Sequence, residues 1–304
     1  MNHPINILLV SDGTNTITQS RELALRLTKA ANISVINRDD VTEATLTQFP
    51  DLAIGVGFNV TEALVKIKGL SCNKTKIAII LDPLTYYEKF DFIILPSYEP
   101  YKVTGNIIRT TGLINFVNRP YMNLQKMAYD TNDKYRFLRR RKLKYPFLTT
   151  IIGGRHTGGN IDIEDTKIIT KEINRIVLKT GGSALITTSP RTEPHVSETL
   201  EQNLDVPYFI YDYKLRETEN PYGIFLALAD RIIVTGESVR MMSESCSTGK
   251  PVNIYRPRQY GFQYEPLVNE MINGGYAAEL GDDTPHPNKL DEAGRVAEII
   301  KRSL

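Results

Sequence analysis

Apolar residues in this chain come in short dense runs, separated by stretches where they recur at three- and four-residue intervals. The runs at 5–10, 33–36, 51–57, 76–81, 90–95 and 106–108 are of strand length and too short for helices. Between them Leu23, Leu27 and Ala30 fall on one helical face, and 41–49 and 60–67 also carry helical spacing. The alternation restarts with strands predicted at 147–152, 184–188, 208–211, 231–235 and 252–255. Helices are predicted at 165–178, 194–204 and 290–300 and on either side of the 231–235 strand. Strands alternating with helices of this size imply an α/β protein with parallel, doubly wound sheets.

Between the two series the composition changes. Residues 130–145 are strongly charged and Pro146 follows them. The expected division is therefore an N-terminal Rossmann-like domain over 1–143 and a C-terminal one over 144–304, facing a cleft. The last helix would be free to pack back on the first domain. The basic run from Arg139 to Lys144, with Leu143 inside it and Phe137 and Leu138 just before it, reads first as a solvated linker face. Peripheral contact with an anionic membrane is the alternative.

The chain has 304 residues, 41% hydrophobic and 24% charged, the balance of a globular protein. A net charge of +2 gives no sign of nucleic-acid binding. Cys72 and Cys246 lie far apart without paired spacing, which argues against a disulfide framework or a zinc site and fits a reducing compartment. The N-terminus lacks a signal-peptide pattern and no run is long enough to span a bilayer, so a cytoplasmic location is expected.

In open α/β sheets ligands bind beyond the C-terminal ends of the strands. That rule collects Gly153-Gly154-Arg155, 188–192 with Ser189 and Arg191, and Thr235-Gly236-Glu237-Ser238. These loops are small, hydroxylated or basic, as a phosphate site requires. Asp12 and Gly13 occupy the corresponding loop of the first half. Ser238 is placed to cap the helix after 235, where free N–H groups and the helix dipole favour an anion. On that helix Val239, Met242 and Cys246 should face the core, with Glu237, Arg240/Met241 and Glu244 on another face. His156, in the glycine-rich loop after the 147–152 strand, is a candidate acid–base or phosphate-holding residue. Each loop, taken alone, also reads as an ordinary turn.

Other templates fail. Residues 247–250 follow a helix rather than a strand, so they are no phosphate-binding P-loop. Neither first strand leads into GxGxxG, which argues against NAD, and the four histidines are dispersed. The Asp39-Asp40 and Asp282-Asp283 pairs sit in turn contexts; neither a metal nor a cofactor is expected.

Residues 181–192, Asn220-Pro221-Tyr222 with 226–230, and 234–251 together resemble the mitochondrial-fission "elongated mitochondria" family. The likeness is strongest over 146–255 and extends more weakly through 50–57, 80–83, 90–96 and 106–112. It implies the GT-B fold: two Rossmann-like domains, with a nucleotide-sugar held mainly by the second. Ser243-Glu244 with 248–251 is similar to the signature of the N-acetylglucosaminyltransferase of peptidoglycan synthesis, which implies that Glu244 binds the ribose of a UDP-sugar. Relatives carry a histidine in the glycine-rich loop of the first domain; residues 13–19 have none. Asp12 and His156 stand in as candidate catalytic bases. The expectation is a metal-independent glycosyltransferase whose acceptor the sequence does not give, an envelope or lipid-linked one being the candidate, with a non-catalytic scaffold and a nucleotide-sugar 2-epimerase as alternatives.

Overall fold

The computed structural model describes residues 4–14, 17–46, 48–100, 105–155, 159–215, 218–258, 264–284, 286 and 288–304. The chain forms two compact units, 1–116 with 291–304, and 117–290. The division falls after Phe116, ahead of the charged stretch that marked it in the sequence.

The first unit contains β1 (Ile7–Ser11), α1 (Ile17–Leu27), β2 (Ile33–Asn37), β3 (Leu52–Val56), α2 (Thr61–Leu70), β4 (Lys76–Ile80), β5 (Phe92–Pro96) and β6 (Ile107–Thr110). Its strands form one parallel sheet in the order β2-β1-β3-β4-β5-β6. Leu23, Ala24 and Leu27 of α1 pack on one face with Ala293, Val296, Ala297 and Ile300 of the C-terminal helix (Glu292–Lys301). Leu64 and Ile67 of α2 cover the other face. Burial on both faces is why β3, β4 and β5 read as dense apolar runs, whereas the edge strand β2 is largely exposed.

Two expectations fail here. Helix α1 stops at Leu27, and Ala30 lies exposed in a short 3₁₀ turn. Residues 41–46 form turns, not a helix, because threonine hydroxyls take over the backbone bonds. Thr42 N donates to Thr45 Oγ1 (2.9 Å), and that hydroxyl donates to the Asp40 carbonyl (2.7 Å).

The second unit contains α3 (Arg119–Thr131), α4 (Arg136–Arg139), β7 (Phe147–Ile151), α5 (Ile163–Thr180), β8 (Ser183–Thr187), α6 (Pro194–Asn203), β9 (Tyr208–Tyr211), α7 (Tyr222–Leu228), β10 (Arg231–Thr235), α8 (Val239–Cys246), β11 (Val252–Tyr255), α9 (Glu265–Asn273) and β12 (Ala278–Glu279). All strands are parallel, in the order β9-β8-β7-β10-β11-β12. The chain winds outward from β7 in one direction and then outward from β10 in the other. In the first unit the same reversal falls between β1 and β3. Ligands of such sheets bind at this switch point.

The charged stretch is folded. Asn118 caps α3 by accepting from Tyr121 N (2.9 Å), Leu138 is buried, and Arg139 closes α3 by donating to the carbonyls of Tyr129 and Asn132. Arg141 stacks over Phe209, 4.6 Å from the ring centre. No described helix is long and apolar enough to cross a membrane.

Candidate functional site

In the second sheet β7 lies between β10 and β8, so the loops leaving these strands emerge side by side. They are tied together. Gly153 N donates to Thr235 Oγ1 (2.9 Å) across the switch point, and Arg155 N donates to the Arg191 carbonyl (3.2 Å). The Thr192 hydroxyl reaches the Gly153 carbonyl and accepts from Ser189 N (2.8 Å). Gly236 N donates to the Tyr255 carbonyl (2.8 Å), fixing the β10 loop to β11.

Both glycines of the β7 loop are dictated by proximity. A Cβ on Gly153 would lie 1.8 Å from Glu237 Oε1, and one on Gly154 would lie 2.2 Å from the Arg191 carbonyl oxygen. The clash at Gly154 is with backbone and cannot relax, whereas a side chain at Gly153 would have to displace the Glu237 carboxylate. The Arg155 and Arg191 side chains remain exposed at this edge. Thus Gly153, Gly154, Arg155, Ser189, Arg191, Thr235, Gly236, Glu237 and Ser238 do converge.

Helix α8 begins inside this cluster. Ser238 occupies its N-cap position, but its side chain makes no capping bond, contrary to expectation. The first amide to reach back is Met242 N, which donates to the Ser238 carbonyl (3.0 Å). The N–H groups of residues 239–241 have no acceptor within the helix. Val239, Met242 and Cys246 are buried as their spacing predicts, and Met241 is half-buried.

The two glutamates expected off the core-facing side of the helix are both buried, and their surroundings differ. Glu244, 2% exposed, is enclosed by partners. Its Oε2 accepts from the Tyr222 hydroxyl (2.5 Å) and its Oε1 from Arg240 Nε (2.8 Å). Burial and the carboxylate push the Tyr222 hydroxyl well above its ordinary pKa, and Glu244 raises that of Arg240. Asn220 orients Tyr222 from outside, accepting from Tyr222 N (3.0 Å). Tyr121 of α3 completes this corner: its hydroxyl occupies the space a Cβ on Gly223 would need, and burial raises its pKa to about 12. Sequence reasoning missed Tyr121, and it placed Arg240 on the face of Glu244 without pairing the two. The signal for α3 was present, an asparagine followed by Arg119-Pro120 at a helix start.

Glu237 is fully buried and has far less support. Oε1 accepts from the Thr235 hydroxyl (2.9 Å), while Oε2 meets no donor among the described residues. Burial raises its pKa to about 7, opposed by its own backbone and by Thr235 and Arg191.

In the first unit Asp12 is the opposite case. It accepts from Thr14 N (3.0 Å), the Thr14 hydroxyl (2.5 Å) and, across the switch point, Asn59 Nδ2 (3.1 Å). The hydroxyl and amide bonds lower its pKa to about 2. Gly13 follows with φ +82° and an exposed position. His156 lies outside the described residues. Lys250 donates to the carbonyls of Ala227 and Ala229, which gives it a structural place at the end of α7. Asp283 is held by Arg175, Lys179 and Arg231, and no group of three or more His, Cys, Asp or Glu able to hold a metal ion occurs among the described residues.

Two parallel α/β units, each with a single reversal of strand order, define a protein of the GT-B fold class. The chain belongs to the mitochondrial fission ELM1 family, whose model matches residues 8–304. Mitochondrial fission protein ELM1 of Arabidopsis thaliana is 26% identical over 67% of this chain and 51% of its own length, so the chain spans about half of that relative. An uncharacterized Rickettsia prowazekii protein, RP120, is 26% identical over 84% of this chain and 80% of its own. A solved UDP-GlcNAc 2-epimerase from Neisseria meningitidis, bound to UDP-GlcNAc, superposes with a TM-score of 0.52 at 14% identity, covering 98% of this chain and 99% of that one. At that identity the likeness concerns the fold.

Proposed function

We propose that this protein is a GT-B glycosyltransferase that draws a sugar from a nucleotide-diphosphate donor, UDP-sugar favoured, without a bound metal ion. The reading is carried by one observation: three hydrogen-bonded loops at the switch point of the second sheet surround the N-terminus of α8. The helix-start amides at 239–241, which have no acceptor within α8, and the exposed guanidinium groups of Arg155 and Arg191 are the charges a departing diphosphate needs. Glu244 is the residue for the ribose hydroxyls, once Arg240, on the exposed rim, gives way. Asp12 is ionised at every pH well above about 2, which makes it a weak proton acceptor; its role in this reading is to orient the acceptor. In this reading the protein is cytoplasmic and peripheral to the inner membrane through the exposed basic residues at 140–142 and 144, a place that fits an envelope or lipid-linked acceptor.

A second reading, a non-catalytic scaffold on the same fold, draws on the closure of Glu244 by Tyr222 and Arg240. A calorimetric panel of UDP, UDP-sugars and other nucleoside diphosphates separates the two. Saturable UDP binding that weakens in Glu244→Ala supports the transferase; no response at millimolar nucleotide rules it out. Turnover of a UDP-sugar without added acceptor would instead assign an epimerase.

A further inference from the structure

Five acidic side chains are buried among the described residues: Glu22, Asp165, Glu237, Glu244 and Glu292. Glu22, Glu244 and Glu292 each hold an arginine. Asp165 accepts from the Tyr255 hydroxyl (2.7 Å), Arg258 N (3.0 Å) and Asp162 N (3.0 Å). Glu237 has one side-chain donor, the Thr235 hydroxyl, and an enclosed second oxygen without any. An ionised carboxylate so placed is costlier than the neutral acid. It also sits one residue ahead of the N-cap of α8, where amides 239–241 would otherwise attract an anion.

We propose that Glu237 is the proton-linked positioning residue of this edge: a diphosphate binding to the loops after β7, β8 and β10 takes up one proton on the Glu237 carboxylate. The inference rests on the nucleotide reading above and adds to it a condition on the state of the site. The charged groups facing Glu237 among the described residues are Arg191, from the loop after β8, and Asp165, at the start of α5. Arg191 favours the ionised form and Asp165 the neutral one. An arriving diphosphate acts twice. Its own charge repels the carboxylate, and it draws the Arg191 guanidinium to itself. Both effects favour the neutral acid. The balance is ionised protein plus ligand plus one proton from solvent, giving the neutral-acid complex, with no bond broken. With the free carboxyl titrating at about 7, the linkage is felt above neutrality.

The test is calorimetry of UDP binding between about pH 7.5 and 9, above the second phosphate ionisation near 6. Running it in two buffers of different ionisation enthalpy counts the protons. Proton uptake by the wild-type protein should rise from about three quarters of a proton per UDP at the lower pH toward one at the higher, with Kd rising toward tenfold per pH unit. Glu237→Gln, a neutral isostere, should bind with no uptake and a flat pH profile. Thr235→Val removes the hydroxyl that favours the ionised form and should move the midpoint to higher pH, which tests the linkage if the glutamine variant does not fold. UDP binding by wild type without proton uptake overturns the inference and leaves the nucleotide reading intact. Uptake that persists in a folded Glu237→Gln also overturns it. Failure of the folded wild type to bind UDP at any pH overturns both.

Discussion

Asp12 and Glu237 occupy comparable places in the two units, each in a loop beside the point where strand order reverses. Asp12 follows β1 and is bonded across to Asn59 beyond β3; Glu237 follows β10 and lies against Gly153 beyond β7. Their chemistry is opposite. Asp12 is at the surface with three donors and is held at about 2, while Glu237 is enclosed with one side-chain donor and pushed up to about 7. The fold supplies a loop and a carboxyl at each switch point; burial and donor supply decide whether that carboxyl is a fixed anion or a titrating acid.

The largest expected effect tests how tightly the two loops are built. Gly154→Ala forces a Cβ against the Arg191 carbonyl, a backbone group that cannot step aside, and should cost about 3 kcal/mol or more of stability. Gly13→Ala meets nothing within 4 Å and suffers only from φ +82°, a cost of roughly 1–2 kcal/mol. Chemical denaturation of both variants measures the gap. Equal losses would show that the second switch point is no more closely packed than the first.

Stability against pH should separate the carboxyls next. The folded pKa of Glu237 is raised from 4.5 to about 7, so its neutral form stabilises the fold fully below 4.5. That contribution is lost as pH rises through about 7. Relative to wild type, Glu237→Gln should therefore gain stability across that window, reaching roughly 2–3 kcal/mol by pH 8. Asp12 has the reverse sign: its pKa falls from 3.8 to about 2, so its stabilisation is present above 3.8 and lost as pH drops through about 2. Asp12→Asn should be the less stable form near neutrality, by a smaller margin because the site is near solvent, and the difference should close in acid. Parallel pH profiles for the two variants would refute the contrast.

How much of this was readable beforehand follows from what each feature depends on. Strands such as β3, β5 and β8 are buried on both faces, so their apolar runs announce them. A parallel sheet then sends every strand-to-helix loop to one edge, which is why the three loops could be gathered before any coordinates. Helix α3 escaped because only Met122 is fully buried, while Leu124 and Met127 face outward among polar neighbours. The turns at 41–46 escaped because hydroxyl bonding overrides spacing. Helical spacing placed Glu237 and Glu244 on a polar face, and such a face need not be a wet one. Glu244 is buried by Tyr222 from α7, and Glu237 by a position where Gly153 lacks a side chain. Neither partner is near in sequence, so no local pattern could reveal it.

The smallest effect asks whether Glu244 belongs with the site or with the framework. Tyr222→Phe removes the hydroxyl that donates to Glu244 Oε2 and leaves the ring in place. Arg240 then remains as the side-chain partner seen on the other oxygen. A lost hydrogen bond to a carboxylate is worth about 1–2 kcal/mol, or roughly five- to thirtyfold in a binding constant if the carboxylate serves the ligand. UDP affinity should therefore weaken by about that factor, with only a small fall in melting temperature. Asp12→Asn, in the other unit, should leave UDP affinity within about twofold, because the proposed donor contacts lie in the second unit. Should Tyr222→Phe lower the melting temperature and leave UDP affinity untouched, Glu244 would be a framework residue, tying α7 to α8, and the ribose would need another partner.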